Sequence, residues 1–490
     1  MTVTGGFIEQ CEQEQLHLSG TIQSHGALLV ASEANIISHA SANIADWLPD
    51  DQDISVGQPL PDGLSALAQR LKPEPGSRLR FVNAPVDGCH CSMILTRSKD
   101  QSVVFELLPV EGSDPEQAPA GRLHHFREFA SNEEIQRARE QLTEKVLQAS
   151  GFDRVLYYRF RQDGTGEVLA ESVGPAAQGQ YLGQRFPASD IPKIARDLYR
   201  QSPWRTIPDA TAGNIGIFGR EDTPPDLSYV DLRSVSPVHR AYMHNMGVVG
   251  SASFPVMVAG ELVALISCHA SRPLRLSLPT LNMLNDQVTS YALALKEFRT
   301  RERMNLLSAA RSRTDYLKHR ITAEAGGLVQ NWDGISKRLL EEFEADGVVL
   351  ETGQELLQAG LQAEPETLEA LVAWLCSETN ERTLKLSDHL QADCPDMPLS
   401  EVAGAMALRF RRADGLDGYC MFLRKEETQE IAWGGRPDKP PEDSQGSLGI
   451  TPRRSFERWL ETRMGHSGPW PELAQLKLYK FRELLVELLH

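Results

Sequence analysis

The 490-residue sequence lacks the patterns that mark several large classes of protein. Its seven cysteines are dispersed and form no Cys-x-x-Cys pair, so a disulfide framework is not indicated. Lysine and arginine are scattered and the net charge is −17, which disfavours nucleic acid or an anionic membrane as a partner. Because a glycine-rich phosphate loop, a Ser/His/Asp series and a kinase signature are also missing, we expect no catalytic activity in this chain.

Signals for export or membrane insertion are missing as well. The N-terminus, MTVTGGFIEQCEQEQ, has neither a basic start nor an apolar core, so we expect a cytoplasmic protein. Residues 248–268 carry only one charge, Glu261, but Pro255 and the Ala259-Gly260 turn signal favour two buried strands of a hairpin over a membrane helix.

The apolar residues that the sequence contains suffice to form several hydrophobic cores. With 41% hydrophobic residues, a chain of this length is typical of about three domains. Apolar β-type runs at 27–31, 78–82 and 102–108 predict a first domain over residues 1–110, followed by the linker PVEGSDPEQAPAGR. The segments FDRVLYYRF and GEVLAESV predict strands of a second domain, residues 122–300, and a third covers 301–490. We therefore predict an α+β fold of three domains, each a central antiparallel sheet with flanking helices.

Two long helices are predicted in the second half of the chain. Neither glycine nor proline occurs between Pro279 and Gly326, so one helix of about 45 residues, joining the second and third domains, can form there. Its apolar residues step by three and four, as in a heptad seam: Leu281, Leu284, Val288, Tyr291, Leu295 and Phe298. The seam either packs on the helix's own domain or forms a parallel dimer contact, and we favour the dimer.

The last stretch, residues 471–490, repeats this spacing at Leu478, Phe481, Leu485 and Leu488, which we interpret as a seam that continues into a further segment. Between the helices, residues 433–459 are rich in proline, glycine and charge but carry tryptophan or phenylalanine at both ends. We predict a long arm whose ends dock elsewhere on the protein.

One acidic residue, Asp190, lies between two prolines in FPASDIP, and these hold it on a stiff, non-helical turn before a predicted helix. Residue types suited to a large, flat, dianionic ligand recur around it in the sequence. Guanidinium groups pair with carboxylates, serines two apart on a strand share a face, histidines titrate near neutral pH, and aromatic rings pack on conjugated systems. These candidates are Arg205, Arg233, Ser251, Ser253, His239, His269, Tyr158, Phe186, Tyr199 and Tyr242.

Six motifs follow one another along the chain: LHLSGTIQSHGALLV, FPASDIP, LRSVSPVHRAYMHNMGV, ISCHA, WGG and PRRSF. Together they resemble the photosensory module of bacterial phytochromes, in that family's order of PAS, GAF and PHY domains. The resemblance covers essentially the whole chain. It implies a red/far-red photoreceptor whose output is a change in helix geometry across a dimer. The alternative is a GAF/PAS sensor of another small ligand, without photochemistry.

The resemblance also implies the cofactor, biliverdin IXα, a linear tetrapyrrole with two propionates that is bound by a thioether to Cys11. The attachment cysteine of plant-type relatives is absent, because Val238 stands at its position. Ser19 and Ser24 replace prolines that are usual in the family, which bears on the loop shape beside Cys11.

By the same resemblance, the arginines face the propionates, assisted by the two serines and Tyr199, and the Asp190 carbonyl accepts from pyrrole N–H groups near His239. His269 bonds the D-ring carbonyl, and Tyr158, Phe186 and Tyr242 shape the cavity of that ring. Ile191 and Ser236 complete the candidate set.

The resemblance also implies a conformational switch that is driven by light. Light would isomerise the bond between rings C and D, Arg453 of the arm would release the Asp190 side chain, and Ser455 would take its place. The arm, residues 433–461 beginning at Trp433, would change from a β-hairpin to partly helix. The movement would reach a C-terminal output module, a histidine kinase or diguanylate cyclase, that these 490 residues do not contain.

Overall fold

The computed structural model describes residues 14–48, 54–86, 88–110, 126–220, 223–323, 327–353, 355–377, 384–411, 415, 417–437, 456–471 and 474–488. The chain divides into two compact units. The first comprises residues 1–298 and 432–459, and the second comprises residues 299–431 and 460–490. The described part confirms the predicted fold class, because helices flank sheets whose strands pair almost entirely in antiparallel fashion.

The N-terminal sheet of the first unit is built from short runs of apolar and β-branched residues. Its strands are β1 (Thr21–Gln23), β2 (Ala27–Ala31), β3 (Ile37–Ser41), β4 (Arg78–Phe81), β5 (Cys91–Arg97) and β6 (Val103–Pro109), with helix α1 (Asp62–Gln69) beside them. The predicted strands at 27–31, 78–82 and 102–108 are thus confirmed to within a residue. The sheet also takes in a strand from much later in the chain, residues 214–219, between β1 and β3.

The second sheet carries the residues of interest. Its strands, in chain order, are β7 (Arg154–Phe160), β8 (Gly166–Val173), β9 (Arg185–Phe186), β10 (Arg205–Ile207), β12 (Gly250–Val258) and β13 (Glu261–Ala270), while β11 (Asn214–Gly219) is the strand that joins the first sheet. Helices α2 (Asn132–Ser150), α3 (Lys193–Tyr199) and α4 (Pro237–Asn245) accompany it. The predicted hairpin at 248–268 is confirmed: Ala259 and Gly260 both have positive φ, as a tight two-residue hairpin turn requires.

The predicted long helix is confirmed as α5 (Leu278–Ala323), which has 46 residues. Our preferred interpretation of its seam, however, was wrong. All six seam residues, from Leu281 to Phe298, are at most 7% exposed and belong to the hydrophobic core of the first unit. A three-and-four spacing says only that one helix face is apolar, and here that face packs on the helix's own domain. The seam therefore gives no support to a dimer.

The second unit has its own antiparallel sheet, whose strands are β14 (Gly347–Glu351), β15 (Leu356–Gly360), β16 (Leu384–Ser387), β17 (Val402–Arg411) and β18 (Asp417–Lys425). Their order in the sheet is β15-β14-β18-β17-β16. The helices are α6 (Gly327–Gln330), α7 (Trp332–Phe343), α8 (Pro365–Cys376), α9 (Leu390–Asp393) and α10 (Ala474–Leu488). On α10, Leu478, Phe481 and Leu485 are buried in this unit's core, so their spacing does not indicate a seam left for another segment.

The predicted arm is described at its two ends. Strands β19 (Gln429–Gly434) and β20 (Arg458–Arg463) are neighbours in the second sheet, and the backbone of Trp433 pairs in parallel with Arg185 of β9. Both arm ends are therefore strand-like, as predicted for the hairpin form. Residues 438–455 lie outside the described residues, and with them Arg453 and Ser455.

Candidate functional site

One face of the second sheet gathers most of the predicted ligand-binding residues. In the antiparallel register, Arg205 lies opposite Ser253, Ser251 opposite His269, and Tyr158 opposite Leu265. Because side chains alternate along a strand and directly paired residues share a face, all of these point to the same side of the sheet. The residues between them, such as Ala252, Phe254, Ile266 and Cys268, face the other side and form the core under α2 and α5.

The two arginines form one end of this face, which we call the carboxylate end. Arg205 donates through Nη2 to the backbone carbonyls of Arg233 (2.7 Å) and Ser234 (3.1 Å), and through Nη1 to that of Asp231. Arg233 is buried and donates to the Leu227 carbonyl at 3.3 Å. Both guanidinium groups are therefore held by the backbone of one short segment, residues 227–234.

Asp231, which the sequence analysis missed, compensates part of this positive charge. Its carboxylate is 4.0 Å from Arg205 and accepts from the backbone N–H and the hydroxyl of Thr206, at 2.7 and 2.6 Å. Burial and the nearby Arg205 still lower the pKa of Arg233 to about 9. The pKa of Arg233 is lowered even though Asp231 and the buried Glu106 of β6 both act in the opposite direction, so a further anionic group would be favourable here. The one available sequence signal was that Asp231 stands two positions before Arg233.

The opposite end of the face, which we call the ring end, is formed by histidines and aromatic residues. The Ser267 hydroxyl lies 3.0 Å from His269 Nε2, whereas His269 Nδ1 is buried and has no hydrogen-bond partner among the described residues. Burial, with Arg154 next, lowers the pKa of His269 to about 4. His239, on α4, is an exposed residue. The lowered pKa of His269 keeps its ring neutral near pH 7.

Asp190 and Tyr242 are joined directly. The Tyr242 hydroxyl donates to Asp190 Oδ2 at 2.8 Å, and the Tyr242 ring stacks on His239 with an interplanar angle of 11°. The turn that carries Asp190 is a short 3-10 helix, Ala188–Asp190, where the sequence predicted a non-helical turn. Arg196, also missed, holds this turn by donating to the Ile191 carbonyl at 2.7 Å and the Ala188 carbonyl at 3.2 Å.

Aromatic rings close the ring end. Phe186 lies 5.9 Å from both Tyr158 and Tyr181 between ring centroids, and Phe456 meets the Tyr242 ring edge-on at 5.1 Å. Tyr199 and Ile191 border the same cluster as partly buried residues. Tyr181 was not predicted, and Phe456 was predicted as an aromatic residue at one end of the arm but not as a site residue.

The WGG motif has a steric explanation at this point. A Cβ at Gly434 would lie 2.6 Å from the Phe186 ring, closer than side-chain contacts allow. Glycine after the buried Trp433 therefore lets the arm's first strand approach β9 and Phe186.

The other predicted site residues fall partly outside this arrangement. The Ser236 hydroxyl donates to Glu14 at 2.9 Å, near the start of the described chain. Cys11 lies outside the described residues, so its position is not part of the site geometry. Among the described residues, clusters of three or more potential metal ligands do not occur, and no helix combines the length and apolarity needed to cross a membrane.

The arrangement suits a long, flat dianion with a conjugated body. Paired arginines can bind carboxylates at one end, and the unpartnered His269 Nδ1 can donate to a carbonyl at the other. Aromatic rings on the same side of the sheet offer a surface for a conjugated body. These residues fit a linear tetrapyrrole with two propionates.

Comparison with known proteins gives a consistent result along the whole chain. Residues 11–110 match the family model described as PAS fold, residues 134–295 match GAF domain, and residues 318–490 match phytochrome region. The chain is 30% identical over 510 residues to a bacteriophytochrome of Pseudomonas aeruginosa, covering 99% of this chain and 67% of the relative. It is also 30% identical to cyanobacterial phytochrome B of Nostoc sp., covering 94% and 64%. The chain thus spans about two thirds of the length of these relatives.

Solved structures agree with this. The photosensory core module of a Stigmatella aurantiaca phytochrome aligns with a TM-score of 0.79 and 29% identity, covering 97% of each chain. A bacteriophytochrome of R. palustris aligns with a TM-score of 0.79 and 28% identity, covering 98% of this chain and 99% of that one.

Proposed function

This chain belongs to the phytochrome family of red/far-red photoreceptors, and we propose that it binds biliverdin covalently through Cys11 and passes a light-induced change to a C-terminal output module. The observation that carries the proposal is the single sheet face that gathers Arg205, Ser251, Ser253 and His269 beside Arg233. Membership of this family disfavours the alternative, a GAF/PAS sensor of another ligand.

The chain's own groups would hold the pigment by charge at one end and by neutral hydrogen bonds at the other. Arg205 and Arg233 would bind the propionates, with Ser251, Ser253 and Tyr199 completing their hydrogen bonds. His269 would donate from Nδ1 to the D-ring carbonyl, because that nitrogen is buried and otherwise unpartnered among the described residues.

At the middle of the pigment, the Asp190 carbonyl would accept from pyrrole N–H groups near His239. When bound, the bilin supplies absorption of red light and isomerisation between rings C and D. Tyr158, Phe186 and Tyr242 would border the moving ring, and Ile191 and Ser236 would line the rest of the site.

The switch is proposed to act through Asp190. Its carboxylate already bonds Tyr242, whose ring touches Phe456 of the arm. Exchange of Arg453 for Ser455 beside Asp190 would couple ring rotation to the arm from Trp433 onward, residues 433–461. A buried ion pair is costly to break by removing one member, so such an exchange has two discrete states.

The remaining parts of the proposal concern organisation. We propose domains at 1–110, 122–300 and 301–490, a parallel homodimer, and a cytoplasmic protein that contacts neither nucleic acid nor membrane. We also propose that catalysis resides in an attached output module, a histidine kinase or diguanylate cyclase, and not in this chain.

Adding biliverdin to the purified apoprotein tests the function. We expect intense red absorbance and a difference spectrum that reverses under alternating red and far-red light. Pigment that binds but stays locked in one spectral form would contradict the photoreceptor proposal.

Replacing the attachment residue, Cys11→Ala, tests the covalent bond. The pigment should then bind noncovalently, so zinc-induced fluorescence should disappear from the protein band on a denaturing gel. Cys376→Ala, at an exposed free cysteine of the second unit, serves as the control and should keep the fluorescence. Persistence of the signal in Cys11→Ala would assign the linkage to another cysteine.

A further inference from the structure

The short segment Asp231–Ser234, which carries Arg233, is bound on one side by the N-terminal sheet. The Leu232 carbonyl accepts from the Gln23 N–H of β1 at 2.8 Å, and the Ser234 N–H donates to the Thr21 carbonyl at 3.2 Å. Arg233 itself forms a bridge with Ile22. The segment therefore pairs side by side with β1 in antiparallel fashion.

On its other side the segment meets Glu106 of β6. Glu106 is 1% exposed, and its Oε1 accepts from the backbone N–H groups of Asp231 and Leu232, each at 2.8 Å. Burial, with Asp231 next, raises the pKa of Glu106 to about 7. A carboxyl group in such surroundings is unfavourable unless its hydrogen bonds are satisfied, and these two consecutive N–H groups satisfy Oε1.

Little space is left for the segment to move. A Cβ at Gly26 would lie 2.6 Å from the Leu107 carbonyl oxygen and 2.8 Å from Leu232 Cδ2. Three parts of the chain therefore meet at Gly26: the start of β2, Leu107 of β6 next to Glu106, and Leu232. Their distances permit only glycine at this position. The anchoring of Leu232 is therefore steric as well as polar.

Both arginines depend on this segment. The carbonyls of Asp231 and Arg233 accept from the Arg205 guanidinium, and the Asp231 carboxylate holds Thr206, the residue after Arg205 on β10. A rotation of the Asp231 and Leu232 peptides would turn the Arg233 side chain and withdraw the acceptors of Arg205 together.

We infer that Glu106, a residue of the N-terminal sheet, is a positioning residue that orients Arg205 and Arg233 for the carboxylates of the pigment. The inference rests on the proposed function and extends it. The first domain would contribute to carboxylate recognition through two backbone N–H groups and without itself touching the ligand.

The experiment compares biliverdin with its dimethyl ester, which has the same conjugated body and no carboxylates. The apparent Kd of each is taken from the concentration dependence of the growth of red absorbance. Glu106→Met removes the acceptor at similar volume. Glu106→Asp keeps the carboxyl group but shortens its reach, and Glu106→Gln keeps an acceptor oxygen. We expect Glu106→Met to lose about tenfold in affinity for biliverdin, with the ester unchanged, and Glu106→Gln to recover most of it.

Glu171 offers a control on the second sheet. Its side chain is 4% exposed, and its Oε2 accepts from the consecutive N–H groups of Tyr181 and Leu182 at 2.9 Å each. Its Oε1 pairs with Arg154, which lies opposite His269 at the ring end and not in the arginine segment. Because both pigments carry the same rings, Glu171→Gln should change the affinities for both by the same factor.

The outcomes separate the two proposals. If the unaltered protein binds neither pigment, the proposed function fails. If it prefers biliverdin to the ester and Glu106→Met keeps that preference, or loses affinity for both pigments equally, the positioning role is refuted. Should Glu106→Met not fold, as judged by circular dichroism and ester binding, Glu106→Asp decides, since its preference for biliverdin should also fall.

Discussion

The carboxylate end and the ring end of the site are built on the same sheet but are bonded very differently. At the carboxylate end, Arg205 donates to three backbone carbonyls and faces Asp231, and the segment beneath it is tied to two elements of the N-terminal sheet. At the ring end, His269 Nδ1 has no partner among the described residues and the His239 ring is exposed.

This contrast indicates that the two ends of the site have different roles in binding and switching. A group whose donors are already engaged cannot turn without breaking several bonds at once, which suits an anchor. Side chains with few bonds have several arrangements of similar energy, which suits a part that must repack. We expect mutations at the carboxylate end to affect stability and ligand affinity, and mutations at the ring end to affect pH response and light cycling.

The largest loss of stability should come from Asp231→Ala at the carboxylate end. Removing the acid takes away the carboxylate 4.0 Å from Arg205 and leaves Glu106 beside the two guanidinium groups, so the free energy of unfolding should fall by about 3–5 kcal/mol in a denaturant titration of the apoprotein. Asp209→Ala is the control, because Asp209 makes the same bonds to a following threonine, Thr211, at the surface. Equal losses in the two variants would mean that the charge of Asp231 contributes nothing.

A smaller loss of stability is expected at the ring end when the pH is lowered, because His269 then becomes protonated. The unfolded chain protonates His269 as the pH falls through about 6.5, whereas the folded protein does so only near pH 4. The contribution of His269 is therefore fully favourable above pH 6.5 and is lost as the pH falls toward 4. Between pH 7 and 5 we expect a loss of about 1–2 kcal/mol, since the residue is only half-buried.

The measurement is the unfolding free energy of the apoprotein against pH, with His269→Gln as the comparison. The variant should show a shallower decline in stability between pH 7 and 5. Curves of identical slope would show that His269 does not titrate as its surroundings imply.

The smallest effect on stability should come from Tyr242→Phe. The variant loses the 2.8 Å hydrogen bond to Asp190 but keeps the ring against His239 and Phe456, so we expect a loss of about 1 kcal/mol. Its light-induced difference spectrum should nevertheless change in amplitude or lifetime. An unchanged photocycle, together with normal pigment binding, would contradict a role of this bond in switching.

Much of the secondary structure could be predicted because it depends on local pattern. Alternation and turn residues located β2, β8 and the Ala259-Gly260 hairpin, and the absence of glycine and proline located α5. The seam on α5 was assigned to the wrong partner, since an apolar stripe does not specify what covers it.

The candidate site was only partly predictable for a related reason. Arg233, His239 and His269 stand in the motifs by which the family is recognised, so the resemblance pointed to them, whereas Arg205 and Ser253 lie outside those motifs and were proposed from their residue types. Glu106 and Asp231 were missed. A buried acid is not distinguishable in sequence from a surface acid, and Glu106 acts across 125 residues of chain.

The sequence by itself determined the family, the order of the domains and several of the helices and strands, because these follow from short motifs and from periodicity along the chain. Only the tertiary structure decided what covers the apolar face of the long helix, and that a carboxylate of the N-terminal sheet holds the arginine segment. Both depend on contacts between distant residues, and local residue pattern carries no information about which distant groups meet.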